Sequence, residues 1–199
     1  MQDKIIIGID LGATNIRGGL VSGDVISNKH SKPIRSKGTV DEVLEDIFEL
    51  TDQLVNDRVA GIGIGVPSGV DLDKGIVYDV QYIPSWKEVP LKALMEERYK
   101  LPVYVNNDAN CFALGEFYFG KGRGQEHMIG LTLGTGVGAG VIINRHLYAG
   151  PNCGAGEFGM AQYLDHHYEY YACGQFFETG YHTDGQLVLE RAMAGERQA

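Results

Sequence analysis

KIIIGIDLGATNIRGGLV, residues 4–21, is the stretch from which the fold class is read. Lys4 to Asp10 is a short apolar run rich in β-branched residues and predicts a buried strand. The chain passes through Gly12-Ala13-Thr14-Asn15 into a second strand over residues 16–21. A third strand is predicted over 25–31, with Ser22-Gly23-Asp24 as the hairpin turn between them. The segment Asp10 to Asn15 has the chemistry of a phosphate cradle. Gly12 lets the backbone approach an oxyanion, and Thr14 and Asn15 offer side-chain donors. A carboxylate at Asp10 is tolerable beside phosphate only with a cation between them, which implies Mg²⁺ held through water. The same hexapeptide would also serve as a plain polar hairpin turn.

Outward from this stretch, Val43, Leu44, Ile47, Leu50, Leu54 and Val55 recur at helical spacing and predict a helix over 41–57. Residues 59–66 (VAGIGIGV) predict a fourth strand stopped by Pro67. Pro90 opens a short helix through Tyr99. Residues 103–106 predict a fifth strand, followed by a helix to about 119 that Asp108 or Asn110 would cap. The pattern then restarts. Residues 128–133, a Gly-Thr-Gly turn and residues 138–143 repeat the strand, glycine turn and strand of 4–21, and LGTGVGAGVI loosely echoes LGATNIRGGL. The echo predicts two related lobes with a boundary near 120–126.

Gly134-Thr135-Gly136 belongs to a run with four glycines in seven residues, more than a hairpin needs, so its amides are candidates for a second phosphate. It lacks the Lys-Ser/Thr of a Walker A loop and opens no helix as a Rossmann turn would. Between the fifth strand and its helix lies Asn106-Asn107-Asp108-Ala109-Asn110. A carboxylate at the end of a buried strand sits where open α/β sheets bind ligands; helix capping is the other reading of Asp108.

The 199 residues are 44% hydrophobic and 22% charged, with a net charge of −9, as in a soluble globular protein. The acidic balance argues against nucleic-acid backbones and anionic membranes as partners, while leaving nucleotides open because amides can hold phosphate. The N-terminus lacks the long apolar stretch of a signal peptide or membrane helix, which predicts a cytoplasmic protein. Cys111, Cys153 and Cys173 are odd in number and far apart, so neither a disulfide framework nor a CxxC zinc site follows.

Together these segments resemble the ROK family (repressor, open reading frame, kinase), from Ile5 to about Glu178. IGIDLGATNIRGGLV is similar to its first phosphate motif and GIGIGVPSGVD (61–71) to its sugar-side strand and loop. VNNDANCFALGE (105–116) is similar to its catalytic segment, and residues 131–159 to its second phosphate motif with a sugar-binding tail. The resemblance implies an α/β, actin-like ATPase (ribonuclease H-like) two-lobe fold. Residues 1–120 would form the N-terminal sugar-kinase lobe and 121–199 a partial C-terminal lobe, because relatives continue well beyond residue 199 with their adenine-side motif.

The implied activity is ATP-dependent phosphorylation of a hexose, with Mg²⁺ and ATP required and a homodimer as a possible assembly. Asp108 would be the general base. Gly65, Asn107, Asp108, Glu157 and Glu178 would bind sugar; Asp10, Gly12, Thr14, Asn15, Gly134, Thr135 and Gly136 would meet Mg-ATP. A non-catalytic sugar-binding or pseudokinase member is the alternative. The family's sugar-sensing regulators carry an N-terminal helix-turn-helix, for which the residues ahead of Asp10 leave no room.

The sequence also departs from the family. GEIGH appears as Gly156-Glu157-Phe158-Gly159-Met160, so a histidine shared by sugar and zinc becomes a thioether. The cysteine cluster shrinks to Cys173-Gly174-Gln175-Phe176-Phe177-Glu178. One cysteine, even with His166 and His167 nearby, does not make a tetrahedral zinc site, so zinc is not expected. Tyr82 stands where relatives often carry Asn.

Overall fold

A computed structural model describes residues 4–150 and 153–196. Strands β1 (Ile5–Leu11), β2 (Asn15–Ser22) and β3 (Val25–Pro33) are followed by helix α1 (Val40–Asp52) and strand β4 (Val59–Val66). Short strands β5 (Gly69–Asp71), β6 (Ile76–Tyr78) and β7 (Glu88–Val89) lead to α2 (Leu91–Tyr99), β8 (Val103–Asn107) and α3 (Asp108–Phe119). The first sheet has the order β3-β2-β1-β4-β8. Its first three strands are antiparallel neighbours, and β1, β4 and β8 run parallel. This mixed order follows from connection length. Tight turns join β1 to β2 and β2 to β3, whereas helices carry the chain over to β4 and β8.

The odd-numbered residues of β1 supply one face of the core: Ile7, Ile9 and Leu11 are buried and belong to one cluster with Val43, Leu44, Ile47 and Leu50 of α1. Helix α1 starts on a capping box, with Thr39 Oγ1 accepting from the Glu42 N–H and Glu42 accepting from the Thr39 N–H. It stops at Asp52, short of the 41–57 expected from spacing. Leu54 stays buried from the turn that follows, so the apolar period outlasts the helix.

Asp46 of α1 is buried and ties the helix to the end of β3. It accepts from Lys32 Nζ at 2.9 Å and from the Arg35 N–H at 2.8 Å, and Arg35 Nη2 lies 3.0 Å away. Burial pushes its carboxyl up, but the bonds from Arg35 and Lys32 outweigh that and hold it below the usual range. A depressed folded pKa contributes stability that is present above the unfolded value of about 3.9 and is lost as pH falls through the folded one. Asp46→Asn is expected to cost about 1–2 kcal/mol at neutral pH, discounted because both cations are partly exposed. In urea titrations the gap from the parent chain should close in acid; a gap that persists below pH 2 would speak against the charge as its source.

The second sheet has the order β11-β10-β9, with β9 at Met128–Leu133, β10 at Val137–Ile143 and β11 at His146–Leu147. Helix α3 seats on it through glycine. A Cβ on Gly140 would fall 2.5 Å from Ala113 Cβ, and one on Gly138 would fall 2.9 Å from Ala109 Cβ. These two glycines therefore serve helix–sheet contact rather than the amide cradle that the glycine run suggests. The chain continues through a 3₁₀ turn (Phe158–Met160), the hairpin of β12 (Gln162–Tyr163) and β13 (His166–His167), and helices α4 (Tyr168–Ala172), α5 (Gln175–Tyr181) and α6 (Gly185–Met193). No helix among the described residues is long and apolar enough to cross a membrane.

Candidate active site

The parallel strands end on one edge of the first sheet. Register places Asp10 of β1 opposite Gly65 of β4, and Gly65 opposite Asn106 of β8. Three strand ends thus meet in a row at the edge where parallel sheets bind ligands, and Asp108 follows two residues after Asn106. A cavity of about 1070 Å³ is lined by Asp10, Arg17, Gly65, Asn106, Asp108 and Cys111 at this end, and by bare sheet face beyond it.

The cap of α3 is Asn107, in place of the Asp108 or Asn110 expected from sequence. Asn107 Oδ1 accepts from the Ala109 N–H at 2.9 Å and the Asn110 N–H at 3.2 Å, while its Nδ2 donates to Ser68 O at 3.3 Å. Oδ1 thus uses both its lone pairs, while one Nδ2 hydrogen is left over to donate to a sugar hydroxyl. Asp108 becomes the first residue of the helix, and its Oδ1 accepts from the Ala109 N–H at 2.8 Å. Partial burial pushes the Asp108 carboxyl up, the Ala109 amide opposes this, and the neighbouring Asp10 carboxylate adds to the rise. Helix α3 passes beside Gly65: a Cβ there would lie 3.6 Å from Asp108 Cα and 3.5 Å from Cys111 Sγ, an ordinary packing contact. Burial holds the Cys111 thiol at about 11, so it stays protonated at neutral pH.

At the β1–β2 turn the Gly12 N–H donates to Asn15 O at 3.0 Å, and a Cβ on Gly12 would fall 2.8 Å from that oxygen. Asn15 Nδ2 donates to Thr14 Oγ1 at 3.1 Å, so one of the two expected donors is used locally. Arg17 lies opposite Asp10 in the hairpin, with Nη1 3.4 Å from Asp10 Oδ2. Sequence reading passed over Arg17, although a hairpin tip centred between Ala13 and Thr14 pairs residue 10 with residue 17 by counting alone.

The β9–β10 turn presents Gly134 and Thr135 at the surface. The Gly134 N–H donates to Gly136 O at 3.0 Å, and Gly134 O accepts from the Gly174 N–H at 2.7 Å. Glu157 is exposed and precedes the 3₁₀ turn; Gly156 before it has φ +102° and abuts Ala139 O of β10. Glu178 lies apart from Asp108, lining a separate cavity of about 490 Å³ with Gly174, His182 and Asp184. Tyr82 is exposed in the loop between β6 and β7, and Met160 is exposed at the end of the 3₁₀ turn.

Among the described residues no three His, Cys, Asp or Glu side chains converge as a metal site requires. The His166 ring stacks on Tyr170 at 4.0 Å, and His167 Nδ1 accepts from the Tyr170 N–H at 3.3 Å as the cap of α4. At the edge of the first sheet Asp10 presents an exposed carboxylate.

The family model described as the ROK family matches residues 6–177. A glucokinase of Halalkalibacterium halodurans is 36% identical over 166 residues, covering 80% of this chain and 50% of that protein. A xylose repressor of Bacillus subtilis is 34% identical over 159 residues, covering 77% of this chain and 41% of that protein. The chain spans half or less of the length of these curated relatives. Among solved structures, a ROK family glucokinase from Streptomyces griseus in complex with glucose and AMPPNP superposes with a TM-score of 0.80 at 28% identity. That match covers 97% of this chain and 72% of the other. The topology is that of the actin-like ATPase fold.

Proposed function

Because the chain belongs to the ROK family, we propose that it carries the sugar-side and phosphate-side machinery of an ATP-dependent hexose kinase. The observation that supports this most is the pairing of two carboxylates at one sheet edge: Asp108, raised by burial, and Asp10 beside it in the same cavity. One is suited to take a proton and the other to face a cation.

In this reading Mg-ATP supplies the transferred γ-phosphoryl group. Asp10 would face the Mg²⁺ that accompanies ATP and offsets the phosphate charge, and the backbones of Gly12 to Asn15 and of Gly134 to Gly136 would meet the phosphates. Asn107, Glu157 and the Gly65 backbone face the sugar hydroxyls, while Glu178, in a cavity apart from Asp108, is given no sugar contact. Asp108 accepts the proton of the sugar's 6-hydroxyl as the O–P bond forms and the bond from Pγ to the ADP oxygen breaks. An alcohol is far less acidic than a carboxylic acid, so proton transfer is concerted with phosphoryl transfer.

A coupled ADP-release assay across glucose, mannose, fructose, allose and N-acetylmannosamine tests this. Hexose-dependent ADP release with a 6-phosphate product is expected. Sugar binding by calorimetry with neither Mg-ATP binding nor turnover would instead mark a non-catalytic sugar-binding member, a reading that the exposed thioether of Met160 in place of histidine favours.

A further inference from the structure

The tip of the β9–β10 hairpin is occupied by a side chain from 32 residues downstream. Glu169, in the first turn of α4, accepts a hydrogen bond from the Val137 N–H through Oε2 at 2.8 Å. The same oxygen lies 2.6 Å from where a Cβ on Gly136 would stand, so glycine at 136 lets the carboxylate sit there without shifting. Gly159 permits the approach from the other side: a Cβ there would lie 3.4 Å from Glu169 Cβ and 2.9 Å from Val137 O. The Gly174 N–H, beyond the end of α4, binds Gly134 O at 2.7 Å and fixes this segment to the same turn. Val137 pairs with Leu133 to close the hairpin. Its N–H is thus directed to an anion brought in from elsewhere.

A carboxylate oxygen on an amide of a Gly-Thr-Gly turn has the charge, acceptor character and hydrogen-bond length of a phosphate oxygen. We propose that Glu169 is an internal substitute for a nucleotide phosphate oxygen: it holds the Gly134–Val137 turn when no nucleotide is bound and competes with the incoming phosphate for that turn. The inference rests on the reading of this turn as a phosphate cradle. Glu169 either leaves the turn or remains beside a polyphosphate of like charge, and both weaken nucleotide binding.

Glu169→Gln separates charge from geometry, because Gln keeps an acceptor for the Val137 N–H and removes the charge. Glu169→Ala removes both. Calorimetric titration of ADP, and separately of inorganic triphosphate, into the parent chain and both variants reads the competition directly. Glu169→Gln is expected to tighten both ligands about three- to tenfold, the scale of one like charge a few ångströms away in a solvated site. The gain should shrink in high salt. Glu169→Ala should tighten them too. Unchanged or weaker binding in Glu169→Gln, with its melting temperature kept, overturns the proposal and leaves the kinase reading standing. Binding to none of the three chains overturns both. Tighter ADP binding without hexose-dependent ADP release supports the competition and removes the kinase.

Discussion

Asp108→Asn is expected to lower kcat for hexose phosphorylation by about a hundredfold to ten-thousandfold, the usual worth of a positioned general base. The change is nearly isosteric and leaves the Asn107 cap of α3 in place. Sugar KM should therefore move little, which is the pattern of an interaction lost in the transition state alone. The pH profile gives a second readout. Partial burial, reinforced by Asp10, raises the Asp108 carboxyl above the ordinary range. The base works only when deprotonated, so kcat/KM of the parent should fall as pH drops through a value above the unperturbed 3.9 or so of an aspartate. That limb should vanish from the residual activity of the variant. Turnover within about threefold of the parent, well below the expected range, would remove Asp108 from the role of base.

Gly156→Ala is expected to destabilise the protein by about 3 kcal/mol or more. Two independent costs combine. Residue 156 has φ +102°, a backbone state that residues with a Cβ seldom adopt, worth about 1–3 kcal/mol. The added methyl would also stand inside contact distance of Ala139 O, a backbone atom of β10 that cannot rotate away, for a further 1–3 kcal/mol or so. Urea denaturation checks this. A loss under about 0.5 kcal/mol, typical of a neutral surface change, would mean that the 150–160 loop relaxes freely. Glu157 is the next residue, so the same variant should also weaken hexose binding if Glu157 contacts sugar.

Much of the first sheet was legible because each signal was local. The run VAGIGIGV is bounded by a turn and by Pro67, and its strand coincides with Val59–Val66. The hairpin glycine at 23 has φ +60°, as its turn demands. The cap of α3 falls on Asn107, one residue before Asp108 and three before Asn110, because Asn and Asp are almost equally good caps and Asn107-Asp108-Ala109-Asn110 offers three of them in sequence. The overrun of α1 arose because Leu54 keeps the helical period while packing from a turn. Gly138 and Gly140 could be noticed but not interpreted: a glycine that admits phosphate and a glycine that admits a helix look alike in one chain. Glu169 had no signal at all. Its role depends on a contact across 32 residues, and nothing within a window around α4 points to Val137.

Helix α3 belongs to both sheets. Its first residue sits at the edge of the first sheet, and its Ala109–Ala113 side lies against glycines of the second. At about 1.5 Å per residue, its 12 residues make a rod of about 18 Å. The methyl-to-backbone contacts on Gly138 and Gly140 leave no slack in which this rod could slide independently. Asp108 is joined directly to β8 through Asn107, so the carboxylate keeps its place at the edge of the first sheet while the other end of the rod is fixed by the second.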